Sequence, residues 1–489
     1  MVDAAVGGAL LGMCLGVRVD HGGLIPQASP WHICRLLKLL RKRYMAAVAL
    51  AFLHTEEKAR AKQFLSLAAL TSSARPATTG TSFSMDCIVN RTHFLNARLA
   101  DGTVADLTVS DGRFSAIAPA ANTTPPLAGT IDLAGQFVLP AFVEGHIHLD
   151  TSFYGDAWRP HIPCTNGFDV RERVAFQMRN LEQAAPMEER ARNQLELCVG
   201  NGSLAMRSHV MVDAAVGLKH VETILGVREK YRDLIDIQLV AFPQSGILSS
   251  PGAAELLDEA LKLGCDLIGG LDPASFDRDV KGHLDVVFGL AEKHGAGVDI
   301  HLHDRGSLGL FEIEEIVTRA TASGMEGKVA VSHAYALGDI SADGLDRVGE
   351  RIAAAGVAIM TNAPGDHPFP PVAALRKAGV TVFAGSDNIR DSWWPYGDGD
   401  MLNRANMIGY RSGFYEDWEL EAACDVVSHA GAKALGLEGY GIAVGARADF
   451  VALSAAHIPE AVVAVPKERT IYHAGREVAR GGKVSARCN

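Results

Sequence analysis

Between residues 141 and 440 short apolar runs of strand length alternate with amphipathic segments of helical length, and this alternation leaves the chain few folds to choose from. The run leading into His146 opens the series, and runs at 204–210, 235–242, 267–271, 297–301, 329–333, 357–361 and 380–385 continue it. Helix-like segments such as 253–263 and 282–293 lie between them. Eight strands alternating with helices is the count of a (β/α)₈ barrel, an α/β fold whose reactive side chains stand at the C-terminal ends of the strands. No internal repeat or low-complexity tract competes with this reading.

The ends of those runs carry the chemistry. Phe142-Val143-Glu144-Gly145-His146-Ile147-His148 finishes in two histidines one residue apart, and alternation along a strand points such residues to the same side. His301 closes the fifth run, His333 the sixth, and Asp387 follows the eighth. Each has a plainer use when taken alone. A histidine is ordinarily a satisfied polar group, and an aspartate in Ser386-Asp387-Asn388 suits a helix cap. Gathered at one end of a barrel, neutral imidazoles and a carboxylate suit a divalent ion, Zn²⁺ or Fe²⁺, with a position left for water.

Composition narrows the field. A formal charge of −11 gives no basic surface for nucleic acid, and no apolar run reaches the roughly 18 residues that cross a bilayer. The eight cysteines are scattered with no C-x-x-C pair, which reads as reduced thiols of a cytoplasmic protein. The H-x-E and P-C-x-x-C signature of zinc nucleoside deaminases is missing.

Strand-like runs also flank the barrel region. Segments at 87–89, 94–97, 105–109 and 114–117, with Asp101-Gly102 and Asp111-Gly112 as turn signals, are answered at the other end by 448–453 and 470–473. Three parts are therefore expected: a poorly defined extension at 1–84, a small composite β-sandwich domain from 85–140 plus 441–489, and the catalytic barrel at 141–440. The extension holds an uncharged 14-residue run, 4–17, and a basic cluster at Arg35, Lys38, Arg41, Lys42 and Arg43, an ill-formed match to a targeting signal; the favoured expectation is that the folded protein starts near Met85 and that 1–84 is a loosely attached extension or an upstream reading of the start.

Longer motifs carry a family resemblance over about residues 85–489. His146-Ile147-His148-Leu149-Asp150-Thr151, Val240-Ala241-Phe242-Pro243-Gln244-Ser245-Gly246-Ile247, His301-Leu302-His303-Asp304, Val331-Ser332-His333 and Gly385-Ser386-Asp387 resemble the cytosine deaminase branch of the amidohydrolase superfamily. Gly264-Cys265-Asp266-Leu267-Ile268-Gly269-Gly270-Leu271-Asp272-Pro273-Ala274 and Ser386-Asp387-Asn388-Ile389-Arg390-Asp391 are similar to the N-isopropylammelide isopropylaminohydrolases. The resemblance implies one divalent metal ion on His146, His148, His301 and Asp387. It also implies Gln244 as the reader of the substrate's carbonyl and ring nitrogen, His333 as the residue polarising the hydrolytic water, and Trp393 as an aromatic wall of the pocket. Relatives of this kind are often homo-oligomers, which is the expectation here.

One position departs from each of the two patterns. The deaminases' ring-protonating glutamate is matched by Asp304, as in the ammelide enzymes, whereas Thr151 agrees with the cytosine deaminases. The implied reaction is hydrolytic: Asp387 takes the proton of the attacking water, Asp304 protonates the ring, and an exocyclic amine leaves a cytosine-like heterocycle. An N-alkylammelide that releases an alkylamine is the alternative substrate. A two-metal amide hydrolase is the rival chemistry, but neither Phe242-Pro243-Gln244 nor Gly269-Gly270-Leu271-Asp272 offers the lysine that bridges such a pair. A non-catalytic ligand-binding relative is a further reading, against which every expected group is present. His161, His209 and His367 read as structural or pocket-lining residues, and His303 as a packing residue.

Overall fold

The computed structural model describes residues 91–121, 129–365 and 367–485, all within one compact unit, Asp86–Asn489. The expectations for 1–84 and for a strand at 87–89 lie outside the described residues.

The barrel is a parallel eight-stranded sheet in sequence order. Its strands are β6 (Phe142–Ile147), β7 (Ser203–Met211), β8 (Asp236–Phe242), β9 (Leu267–Leu271), β10 (Gly297–Leu302), β11 (Val329–His333), β12 (Ala358–Thr361) and β13 (Val382–Ala384). β7, β9 and β11 are buried at every residue, as expected of strands covered by helices on one side and by the barrel interior on the other. The register sets His301 beside Ser332 and Leu302 beside His333, so the reactive ends of β10 and β11 finish level.

Glycine permits the closure. Asp387 bridges Ile147, and its N–H donates to the His146 carbonyl at 2.7 Å. A Cβ on Gly385 would fall 2.5 Å from the His146 backbone, and one on Gly145 would fall 2.6 Å from the Ala384 carbonyl oxygen. Two strand ends approach this closely only without side chains, and the approach delivers His146 and Asp387 to one another.

Helices follow local signals. Ala253–Leu263 stops at Gly264, whose φ of +118° suits glycine and whose N–H returns to the Ala260 and Leu261 carbonyls. The next helix starts slightly earlier than its apolar pattern suggests, at Val280–His294, because the Asp279 carboxylate caps it on Gly282 N–H.

The other sheet draws on both flanks of the barrel. It contains β1 (Arg91–Arg98), β2 (Val104–Ser110), β3 (Arg113–Pro119), β4 (Thr130–Asp132), β5 (Phe137–Pro140), β14 (Phe450–Leu453), β15 (Arg469–His473), β16 (Arg476–Arg480) and β17 (Lys483–Val484). β5 pairs antiparallel with β14, joining the two ends of the chain. Asp111 and Gly112 turn β2 into β3 with φ of +51° and +75°, as a tight hairpin requires. Phe114 of β3 meets Phe450 of β14 at 5.9 Å although three strands separate them, so the sheet folds over its own aromatic core. Among the described residues no helix is long and apolar enough to cross a membrane.

Candidate metal centre and active site

Strand alternation and strand ends assemble one histidine cluster. His146 and His148, at the end of β6, lie with ring centroids 5.4 Å apart, and His301 of β10 is 4.6 and 5.5 Å from them. His333 of β11 closes the group at 5.1 Å from His301. Asp387 sends Oδ1 to within 3.5 Å of His146 Nε2 and 3.3 Å of His148 Nε2. Its Oδ2 accepts a hydrogen bond from Asn362 Nδ2 at 2.8 Å.

Backbone strain marks the same place. His333 has φ +71° and Asp387 +59°, a left-handed conformation that is costly for histidine and that persists only where surrounding structure enforces it. Glu144 supplies part of that enforcement. Its buried carboxyl accepts from the N–H of Ser386, next to Asp387, at 2.7 Å.

Electrostatics favour a cation. Burial pushes His146, His301 and His333 below the usual histidine value, which keeps them neutral with lone pairs available. Burial also opposes ionisation of Asp387, but His333, His146 and His148 outweigh it and hold the carboxyl well below the usual range. His146 Nε2 and both ring nitrogens of His301 and His333 are buried without a hydrogen-bond partner. Orphaned polar atoms in that number are costly unless something binds them, and neutral imidazoles beside an ionised carboxylate are the donor set of a divalent metal. The residues present therefore fit such an ion.

His209 joins this cluster, although the sequence reading left it aside. On β7 its ring lies 3.9 Å from that of His146, both nitrogens lack partners, and with His146 and His301 it offers ligand atoms within 4.8 Å of one another.

Above the cluster a recess is lined by Thr151, Gln244, Phe242, His303, Asn388 and Trp393 together with the histidines. Gln244 and Trp393 thus stand where substrate would lie. Gln177, from the helix Val170–Leu181, connects them: it accepts from Trp393 Nε1 at 2.7 Å and its Nε2 lies 3.4 Å from Gln244 Oε1. Nothing local in the sequence singles out Gln177. The recess opens into a cavity of about 310 Å³ walled by Phe168, Tyr335, Pro364, His367, Trp394 and Met407, among others. A larger cavity of about 760 Å³ adjoins β5 and the helix His429–Ala434 and holds none of the clustered groups.

Asp304 and His303 differ in their relation to the recess. Asp304 does not line the recess; its Oδ2 accepts from Ser275 N–H at 3.2 Å, in the neighbourhood of Asp272 and Glu312. His303 lines it instead. Its ring stacks on His333 at 4.6 Å and lies nearly parallel to Trp393 at 6.4 Å. Asp272 holds it through both the backbone N–H, at 2.6 Å, and Nδ1, at 2.9 Å. Burial works against a charge on this ring, but the Asp272 carboxylate outweighs burial and raises its pKa above the ordinary histidine value.

Comparison with known proteins agrees with this architecture. Residues 129–486 match the sequence profile of the Amidohydrolase family. N-isopropylammelide isopropyl amidohydrolase of Pseudomonas sp. (strain ADP) is 34% identical over 358 residues, covering 72% of this chain and 88% of that protein. The crystal structure of N-isopropylammelide isopropylaminohydrolase from Burkholderia multivorans ATCC 17616 superposes with a TM-score of 0.77 at 39% identity, over 81% of this chain and all of that one. The 5-methylcytosine deaminase of Klebsiella pneumoniae liganded with 5-fluorocytosine superposes with a TM-score of 0.70 at 26% identity, over 81% of this chain and 99% of that one.

Proposed function

The chain belongs to the amidohydrolase family and is a hydrolase of C–N bonds other than peptide bonds; from that premise we propose that it replaces the exocyclic amine of a cytosine-like nitrogen heterocycle with oxygen, and that the departing amine carries an alkyl group. The observation that carries this reading is the set of orphaned imidazole nitrogens around Asp387, lying directly beneath a recess that offers Gln244, His303 and Trp393. Two further facts support the alkyl group. The ammelide hydrolase from Burkholderia is 39% identical against 26% for the methylcytosine deaminase, and the recess continues into a cavity whose walls include Phe168, Pro364, Trp394 and Met407 beside polar groups such as Arg173 and Arg404.

His146, His148, His301 and Asp387 would hold a single divalent ion, zinc or iron. When bound there, the ion supplies the Lewis acidity that makes water a nucleophile near neutral pH. Trp393 and His303, nearly parallel, form walls for a flat ring. Gln244, steadied by Gln177, presents an amide to the ring's carbonyl and N–H edge. Asp387 accepts a proton from the attacking water as the new C–O bond forms, and His333 steadies the attacking oxygen from the opposite wall. His303 has Nδ1 committed to Asp272, which leaves Nε2 to protonate the ring nitrogen beside the attacked carbon. The C–N bond then breaks as the added hydroxyl becomes a carbonyl; the amine departs with the proton that Asp387 returns, and the proton lost by the hydroxyl restores His303. Asp304, the residue matched to the family's ring acid, lies beside Asp272 and Glu312, and His303 takes the acid's role in this reading. The protein is read as cytoplasmic, in keeping with free Cys164, Cys198, Cys265 and Cys424.

Amine release from N-isopropylammelide and from cytosine, measured side by side on metal-loaded protein, tests the proposal. Isopropylamine from the first is the expected result. Ammonia from cytosine alone would move the substrate to the deaminase side, and silence on both would reject both substrates.

A further inference from the structure

Beneath the histidine cluster, β7, β10 and β11 bring three polar side chains together in the barrel interior. Arg207, Asp299 and Ser332 are all buried. Arg207 Nη1 donates to Asp299 Oδ2 at 2.9 Å, and Ser332 Oγ donates to Asp299 Oδ1 at 2.6 Å. The same Ser332 Oγ lies 2.9 Å from His146 Nδ1. Gln238 Oε1 and the Ala434 carbonyl accept three more of the guanidinium protons, which fixes Arg207 in place. His209 Nε2 lies 3.8 Å from Asp299 Oδ2, too far to compete for the carboxylate by hydrogen bonding.

Proton counting along this chain gives it a direction. A guanidinium only donates, and the carboxylate beside it only accepts. Serine has one hydroxyl proton, and with that proton committed to Asp299 its oxygen has only lone pairs to offer His146. Nδ1 of His146 must then be the N–H of the neutral ring, so Nε2 keeps its lone pair. Nε2 is the atom that faces Asp387 and has no partner. His301 and His333 have no such anchor, since neither of their nitrogens makes a hydrogen bond.

We propose that Arg207, Asp299 and Ser332 are a positioning chain that locks His146 into the tautomer a cation requires. The proposal rests on the reading of His146 as a ligand. Asp299 is the polarising end of the chain, and Arg207 compensates it so that the barrel interior holds no unpaired charge. A buried ion pair serving stability alone would have no reason to reach a ligand nitrogen through a hydroxyl.

The test is zinc affinity, measured by competition with a chromophoric chelator on the full chain and on Ser332→Ala, Asp299→Asn and the double variant. Ser332→Ala is expected to hold zinc roughly 10–100-fold more weakly, the usual cost of removing a hydrogen-bond partner from a ligating histidine. Asp299→Asn is expected to weaken binding as well, and the double variant to bind no more weakly than Ser332→Ala, because both changes break one chain. Ser203→Ala, a buried hydroxyl elsewhere on β7, is expected to leave the affinity unchanged. Unaltered affinity in Ser332→Ala would overturn the proposal, as would losses that multiply in the double variant. If Asp299→Asn folds poorly, Ser332→Ala decides alone. Absence of zinc binding in the unaltered chain would instead remove the metal reading on which the proposal stands.

Discussion

The C-terminal end of the barrel and the second sheet are built on opposite principles. At the C-terminal end, buried nitrogens of His146, His209, His301 and His333 lack partners, and His333 and Asp387 adopt left-handed backbone. In the two-ended sheet, Phe94, Phe114, Phe450 and Tyr472 form a dry aromatic cluster, with Phe450 stacked on Tyr472 at 4.6 Å and edge-on to Phe94 at 5.1 Å. Where that sheet buries charge, it pairs it: Arg469 of β15 meets both oxygens of Asp400, at 2.7 and 3.0 Å, and Asp400 caps the helix Met401–Ser412. One region lowers its free energy by packing its rings and pairing its charges, while the other gathers buried imidazole nitrogens that have no partner. Substitutions should therefore separate activity from stability according to region.

The largest effect is expected at Asp387. Asp387→Asn removes the carboxylate that faces the imidazoles and that the proposed reaction uses as proton acceptor, and turnover should fall by about 10³-fold or more. Relief of strain and charge at a functional site commonly leaves stability level or improved, so the melting temperature of the metal-free protein should not drop. Unimpaired amine release would remove Asp387 from the chemistry. The contrasting change is Phe450→Ala, which empties the centre of the sheet's aromatic cluster. It should cost about 3–5 kcal/mol in denaturant unfolding, with kcat per folded molecule unchanged. A matching loss of kcat would mean that the sheet shapes the active site and would break the comparison.

The legibility of the two regions differed as well. Eight barrel strands were readable because each buried strand is a short apolar run, and β-branched alternation fixes its limits. The clustered histidines were readable because a strand's last residues project into the mouth, whatever the loops do. Asp304 and His303 were not separable in this way. Which of two adjacent residues faces the recess depends on where β10 ends, at Leu302, and on Asp272, which lies 31 residues upstream and holds His303 through two hydrogen bonds. Gln177 was hidden for a related reason, since its partners Gln244 and Trp393 are 67 and 216 residues away. Ser332 and Asp299 lie 33 residues apart on different strands, and only the barrel's register makes them neighbours.

His303 gives the next prediction in size. With Asp272 orienting it, His303→Asn should lower kcat by about 10²-fold, the usual worth of a positioned acid, and leave KM nearly unchanged. A variant altered in KM alone would make His303 a wall of the pocket and return the acid's role to Asp304.

The smallest effect sharpens the contrast by its sign. Glu312 is fully buried beneath the active-site end, where its Oε1 accepts from Ala274 N–H at 2.7 Å. Burial, and then the charges of Asp304 and Asp272, push its carboxyl up to about 9. The folded protein thus keeps a proton there that the unfolded chain loses near the ordinary glutamate value of 4.5. Between those values folding takes up a proton, so this contribution to stability is fully present below about pH 4.5 and is lost as pH rises towards 9, at up to about 1.4 kcal/mol per pH unit. Asp449 in the sheet runs the other way. Burial opposes its charge, but His473 and Arg447 hold the carboxyl below its ordinary 3.8, so its contribution is present at neutral pH and lost on acidification. Glu312→Gln, permanently neutral and still able to accept from Ala274, should therefore melt above the parent at pH 8, with the gap closing towards pH 5. Asp449→Asn should melt below the parent at pH 7, with its gap closing only in strong acid. Thermal melts of the three proteins across this range decide the matter. Parallel curves for Glu312→Gln and the parent would show an ionised Glu312 in the folded state, and the active-site end would then store no proton in this carboxyl.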